Sequence, residues 1–325
     1  MVVFRIVVTV FLIVIGALGI LGNLAVVFTI SINKKFRLMR YLFLASLAVF
    51  DFVIAALIVP FHVASKVYEK LEFSTTQCKV ITLLTRALYC STTLHLIAVS
   101  YDKYLAIVKS PLTYSQRITK AKILLLMAFA WILPFATAAG PWFTIWEDTF
   151  PFSARLYHCD IRHGWDVQSR DQLMRSVFYS VAAFAVPLLV LAWLNFKVFK
   201  AASQLEREII TQQHSTQPQQ NRCREHKAAK DVAVVLGLYL LCYLPAWIAI
   251  LCRQALPLNS VPVFVSFITN GLLLSKSAWN PVIYCIRKRE FRGALKMMLR
   301  CKRVRAGNDE QSYQAPKRLN RSSDQ

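Results

Sequence analysis

The stretch Ser275-Lys276-Ser277-Ala278-Trp279-Asn280-Pro281-Val282-Ile283-Tyr284 decides the fold of this chain, because it places a proline, an amide and an ammonium inside one long apolar run. Asn-Pro within an apolar helix kinks it and frees a backbone carbonyl, which polar neighbours must satisfy. Lys276 lies one helical turn before Asn280. An ammonium at that depth is costly unless a carboxylate or water answers it. The stretch therefore belongs in a membrane-embedded bundle with polar groups facing inward from other helices.

The remaining sequence agrees. The 325 residues are 56% hydrophobic and 17% charged, with mean hydropathy +0.44, too apolar for an ordinary soluble domain. Nearly uncharged runs recur at Ile6 to Asn33, Tyr41 to Ser65, Ala87 to Tyr101, Ile123 to Trp146, Ser176 to Phe196, Val232 to Cys252 and Gln254 to Ile286. Most approach or exceed the roughly 20 residues that cross a bilayer. The third is short because Arg86 and Asp102 bracket it, and the segment from Cys78 to Val108 extends it. None alternates apolar and polar as a barrel strand would. The first run is about twice the length of a signal-peptide apolar region and lacks a small-residue cleavage pattern, so it reads as a span. Only five residues precede it, so no N-terminal domain that captures a large ligand is expected.

The net charge of +22 would fit a nucleic-acid partner, but its distribution does not. Lys34, Lys35, Arg37 and Arg40 follow the first span, and Lys103, Lys109, Arg117, Lys120 and Lys122 follow the third. Lys197, Lys200, Arg207, Arg222, Arg224, Lys227 and Lys230 lie between the fifth and sixth, and Arg287 to Arg305 crowd the end. Glu69, Glu72, Glu147, Asp148, Asp160, Asp166 and Asp171 occupy the opposite loops. By the positive-inside rule the N-terminus is extracellular and the C-terminus cytoplasmic. Cys78 and Cys159 then fall outside, where a disulfide can form. Cys301, just past a basic amphipathic segment, is a candidate for palmitoylation.

The spans carry a set of polar residues and prolines in a fixed order: Asn23 after Gly22, Leu44-Ala45-Ser46-Leu47-Ala48-Val49-Phe50-Asp51, Asp102-Lys103-Tyr104, Trp131, Pro187, Cys242-Tyr243-Leu244-Pro245 and Asn280-Pro281-x-x-Tyr284. This set resembles the rhodopsin-like family of G-protein-coupled receptors, over roughly residues 6 to 300, and is nearest in appearance to amine-type receptors. The resemblance implies an all-α membrane protein, a seven-transmembrane helix bundle with a short cytoplasmic amphipathic eighth helix. The receptor domain would take residues 1–300, with the amphipathic helix at 287–300 and a disordered cytoplasmic tail at 301–325. It also implies a plasma-membrane receptor that binds a small extracellular ligand and activates a heterotrimeric G protein, with no enzyme activity, cofactor, metal or nucleic acid. Arrestin and a receptor kinase would read tail serines such as Ser312, Ser322 and Ser323, and membrane lipid would surround the bundle.

In similar receptors the residues matching Asp102, Lys103 and Tyr104 end helix three, and the middle one pairs with an acid at the foot of helix six, here Glu225. That middle residue is normally arginine. Lysine lacks the planar bidentate fork, so a looser latch and an altered G-protein contact are expected. Pro245, Asn280, Pro281 and Tyr284 complete the expected switch. Tyr243 replaces the usual tryptophan, and Asn195 replaces a common tyrosine.

The amine-binding aspartate of helix three is absent, since its place is held by Thr85. An ammonium ligand has no carboxylate to pair with there. Arg86 adjoins Thr85, His62 and Lys66 end the second span, and Arg175 and Arg253 top the fifth and sixth. If two of these face inward the pocket favours a carboxylate or phosphate; otherwise they reach out to headgroups. Thr85, Arg86, Tyr89 and Tyr243 are the expected ligand contacts, and His95 reads as a satisfied core residue.

An opsin-like photoreceptor is the alternative within the family, because opsins hold retinal on a helix-seven lysine. That lysine stands six residues before the motif asparagine, a position held here by Leu274, whereas Lys276 stands four before it. Outside the family the alternative is an ion channel or transporter, which would require internal repeats, and none is found. Rhodopsin-like receptors commonly hold sodium at the residue matching Asp51, and Thr92 and Asn280 match part of that shell. Lys276 occupies a place usually held by a neutral residue. The expectation is an internal counterion, Lys276 on Asp51, and a sodium-insensitive receptor.

Overall fold

The computed structural model of the chain describes residues 2–32, 39–68, 73–108, 119–143, 152–153, 158–159, 181–211, 234, 237–252, 261–287 and 291–293. Among them lie seven long helices. Helix α1 is Val2–Ile32. Helix α2 runs through Met39–Val53, a π-helical turn Ile54–Ile58 and Val59–Val67. Helix α3 is Thr75–Val108 and α4 is Lys120–Phe143. Helix α5 begins with a π-helical turn, Val181–Ala185, and continues through Val186–Thr211. Helix α6 is Gly237–Cys252 and α7 is Val263–Arg287. Four of them, within Val2–Ile32, Tyr41–Val67, Thr75–Val108 and Ala121–Ala138, are each long and apolar enough to cross a membrane.

The bundle is apolar outside, as lipid requires, and keeps its polar side chains inside among apolar ones. Val3, Val7, Leu21, Leu125, Ile132, Leu189 and Phe196 are exposed, whereas Asn23, Asp51, Ser91, Thr92, His95 and Lys276 are buried. Helix α1 lies against α2 and α7 through glycines. A Cβ on Gly19 would stand 2.7 Å from the Ala55 Cβ, and one on Gly22 would stand 2.7 Å from the Pro281 Cβ. Such small-residue seams let membrane helices approach closely. Asn23 uses that approach: its Nδ2 donates to the Gly19 carbonyl and, across the seam, to the Ser277 carbonyl, both at 2.8 Å. Ser277 is four residues before Pro281, so its carbonyl is the one that the missing proline N–H leaves without a partner. The side chain of α1 thus repairs the break that the proline makes in α7.

Helix α3 is tied to four neighbours. The Trp131 indole N–H of α4 donates to Ser46 Oγ of α2 at 2.9 Å, and Ser46 lies 2.7 Å from His95 Nε2. His95 Nδ1 is 2.7 Å from the Ser91 carbonyl, which can only accept. The proton is therefore on Nδ1, and Ser46 donates to Nε2. Phe50 packs against both rings, 4.1 Å from Trp131 and 5.0 Å from His95. Toward α5, Asn195 Nδ2 donates to Ser100 Oγ at 3.2 Å and to the Leu191 carbonyl at 2.6 Å. Toward α6, the Thr93 and Tyr239 hydroxyls meet at 2.8 Å. Satisfied polar groups of this kind fix which helix faces meet.

Several expectations change. Helix α5 continues past Phe196 to Thr211, because most of the residues from Lys197 onward are good helix formers. The sequence also concealed a two-residue pairing, Phe152–Ser153 with His158–Cys159, antiparallel with Phe152 opposite Cys159. Its second strand carries the Cys78–Cys159 disulfide, which fastens this hairpin to the first turns of α3. Of the expected amphipathic helix, residues 291–293 are described and helical; Phe291 is buried, its ring 6.1 Å from that of Tyr284. The Arg292 guanidinium caps the end of α7 by donating to the Cys285 carbonyl at 3.3 Å and to the Ile286 carbonyl. The tail 301–325, with Cys301 and the tail serines, lies outside the described residues.

Candidate functional site

The turn spacing of α7 puts Lys276 and Asn280 on one face, and both reach Asp51 of α2. Lys276 Nζ stands 3.6 Å from Asp51 Oδ1, and Asn280 Nδ2 donates to Asp51 Oδ2 at 2.6 Å. Asp51 is 0% exposed and Lys276 is 5% exposed, so the pair is sealed from water by the bundle. At an effective dielectric of about 20, two charges this close attract by about 4 kcal/mol. That attraction offsets much of the desolvation of each ion.

The same ammonium donates to the Tyr243 hydroxyl of α6 at 3.4 Å and lies 5.4 Å from the centre of that ring. Tyr243 is the middle of an aromatic floor. Its ring centre is 4.2 Å from that of Tyr239, 5.6 Å from Phe184 of α5 and 5.8 Å from Tyr89 of α3. Below the floor a cavity lined by Leu96, Tyr239, Lys276, Trp279 and Asn280 leaves room for about one water. The Tyr89 hydroxyl is enclosed and has no hydrogen-bond partner among the described residues. One turn nearer the start of α3 stands Thr85, whose hydroxyl donates to the Ile81 carbonyl at 2.6 Å. Arg86 beside it is half-buried.

Thr92, expected in the ion shell, turns to its own helix. It is fully buried, but its hydroxyl donates to the Leu88 carbonyl of its own helix at 2.8 Å and makes no hydrogen bond to Asp51. A threonine in a helix can satisfy itself on the preceding turn, which sequence position alone does not reveal. Asn23 donates to the Gly19 and Ser277 carbonyls, and the Ser277 hydroxyl donates to the Leu274 carbonyl of its own helix at 3.0 Å. Lys66 and His62 also differ from side chains that reach out to headgroups, being 2% and 8% exposed. Arg175 and Arg253 lie outside the described residues.

At the other end of α3, Asp102 is buried, and Lys103 and Tyr104 are half-buried. The Tyr104 ring is 5.9 Å from that of Trp193 on α5. Glu225 lies outside the described residues. Pro245 is half-buried on α6, two residues after Tyr243.

The family model described as 7 transmembrane receptor (rhodopsin family) matches residues 22–284, from the α1 glycine seam to the last residue of Asn280-Pro281-x-x-Tyr284. The chain belongs to this family. The receptor is 26% identical to the histamine H2 receptor of Cavia porcellus, over 98% of this chain and 86% of that protein. It is 27% identical to the octopamine receptor beta-2R of Chilo suppressalis, over 89% of this chain and 78% of that one. A crystal structure of squid rhodopsin superposes with a TM-score of 0.78 at 20% identity, covering 92% of this chain and 86% of that one, a likeness of fold. The chain is therefore a multi-pass G-protein-coupled receptor of the plasma membrane, which takes a small ligand and signals to a G protein. It is not an enzyme.

Ser46, Ser100, Thr93 and Tyr239 were not singled out from the sequence. Nothing in the local sequence sets them apart, because the importance of each depends on a partner from another helix.

Proposed function

We propose that the receptor binds a small extracellular ligand bearing an acidic group, in the outer half of the bundle above the Tyr89 and Tyr243 rings. The observation that carries this is the side chain at Thr85. Where amine-type receptors offer a carboxylate, this chain offers a hydroxyl already donated to Ile81, and the next residue in the helix is the half-buried cation Arg86. A cation beside a neutral wall favours a carboxylate or phosphate. A second reading is an amine, supported by the names of the similar histamine and octopamine receptors. Cells expressing the receptor with a panel of G proteins, exposed to small carboxylates, phosphates, lipids and amines, separate the two. A signal from an acid that falls at least tenfold in potency in Arg86→Ala is the expected result, and a signal from amines alone overturns the reading.

The N-terminus is extracellular and the C-terminus cytoplasmic in this proposal, as the alternating loop charges require. Lys276 acts as a built-in countercharge to Asp51. Asp102, Lys103 and Tyr104 form the cytoplasmic switch, with Glu225 as the partner of Lys103 in the off state. Arrestin and a receptor kinase act on the tail, and Cys301 anchors it by lipidation. Lys103→Arg supplies the planar fork that lysine lacks. One added charge-assisted contact of about 1 kcal/mol lowers basal signalling about fivefold. Unchanged basal and stimulated output in that variant would remove Lys103 from the switch.

A further inference from the structure

Lys66 stands in the last turn of α2, where the four-carbon stem of a lysine ordinarily carries its charge out to water or headgroups. Here it turns inward and is 2% exposed. Its Nζ donates to the His62 carbonyl at 3.3 Å and stands 5.4 Å from the ring centre of Phe267 on α7. Phe267 in turn stacks on Phe4 of α1 at 6.0 Å. The ammonium thus sits where the outer ends of α1, α2 and α7 converge. One turn deeper, His62 is 8% exposed, and its Nδ1 lies 3.3 Å from Asn270 Nδ2 of α7. The amide donates in that contact, so the neutral ring carries its proton on Nε2.

An ammonium has three N–H donors. One carbonyl and one aromatic face do not discharge it, and Lys66 has no carboxylate partner among the described residues. Burying an ion without a counterion costs several kcal/mol. Nothing in the length of the stem forces that cost, because the same side chain could extend outward. The neighbours supply what an incoming anion needs: an enclosing apolar wall in Phe4 and Phe267, and the polar side chains of His62 and Asn270. We propose that Lys66, with His62 and Asn270 beside it, is a binding subsite for an anionic oxygen group, a carboxylate or phosphate, of a small ligand. The inference rests on the acidic-ligand reading and gives it a second cation, on a different helix from Arg86. The acid can arrive from water or from a lipid headgroup, and the chemistry at the ammonium is the same.

The test uses the full-length receptor purified in neutral detergent, with its thermal midpoint as readout. Without ligand, Lys66→Met is expected to raise the midpoint by a few degrees, because an apolar chain of similar length replaces an ammonium that has no carboxylate partner among the described residues. Succinate, inorganic phosphate and lysophosphatidic acid are then titrated. At least one is expected to raise the midpoint of the unmodified receptor and of Lys66→Arg at a concentration at least tenfold lower than for Lys66→Met. A water-soluble probe acting this way assigns a free acid, and the lysolipid alone assigns a membrane-borne one. A lower midpoint for ligand-free Lys66→Met would reveal a structural counterion and overturn the subsite. So would equal responses of the unmodified receptor and Lys66→Met to all three probes, absence of any response included. An acid that signals equally through both overturns the subsite while leaving the acidic-ligand reading intact, whereas signalling by amines alone overturns both.

Discussion

Lys276→Met is expected to destabilise the receptor by about 3–5 kcal/mol, the cost of leaving one member of a buried ion pair without the other. Asp51, 0% exposed, would keep only the Asn280 amide. Asp51→Asn is expected to cost a similar amount by stranding the ammonium. The double variant Asp51→Asn with Lys276→Met removes both charges and recovers most of the loss. Thermal midpoints of the four proteins close the cycle, and simple additivity of the two single changes would show that the residues are not coupled. The same pair sets the response to salt. With an ammonium 3.6 Å from Asp51 Oδ1, the aspartate already has a cation. Midpoint and basal signalling are therefore expected to be equal in sodium chloride and choline chloride, and Lys276→Asn is expected to gain a sodium dependence. Modulation of the unmodified receptor by sodium would end the counterion account.

Gly22→Leu is expected to abolish the folded receptor, and Gly22→Ala to cost about 1–3 kcal/mol. A Cβ at this position meets the Pro281 Cβ at 2.7 Å and Cγ at 2.9 Å, atoms of a ring that cannot rotate aside. The helices must part, and the Asn23 amide then leaves the Ser277 carbonyl that it satisfies at 2.8 Å. Gly237→Ala is the control, since a Cβ there meets nothing within 4 Å. It should be neutral or raise stability by up to about 1 kcal/mol through helix propensity. A midpoint for Gly22→Ala equal to that of the unmodified receptor would show that the α1–α7 seam is loose.

The seven helices were legible because lipid imposes a length and an apolar composition that no soluble fold needs. The ion pair was legible too, since a lysine one turn before Asn280 shares its face and Asp51 is a buried carboxylate on another span. The direction of the Thr92 hydroxyl was not legible, because a threonine can donate to its own helix, as it does to the Leu88 carbonyl. The inward turn of Lys66 was not legible for a different reason. A lysine at the end of an apolar run normally leaves the bundle, and no pattern encodes the π-helical turn at Ile54–Ile58 or the start of the following helix at Val59 and Pro60. One extra residue in a turn rotates everything beyond it. The Phe152–Ser153 pairing is too short to leave a period in the sequence.

The position of Lys276 between two helices has a mechanical meaning. Its one ammonium is divided between the Asp51 carboxylate of α2 and the Tyr243 hydroxyl of α6. If α6 swings outward, that division ends, and the whole charge passes to Asp51. Opening one side of the bundle then tightens the other in a single step, so the protein trades one internal bond for a stronger version of another. In this structure both contacts are made at once, and outward movement of α6 would release only the one to Tyr243.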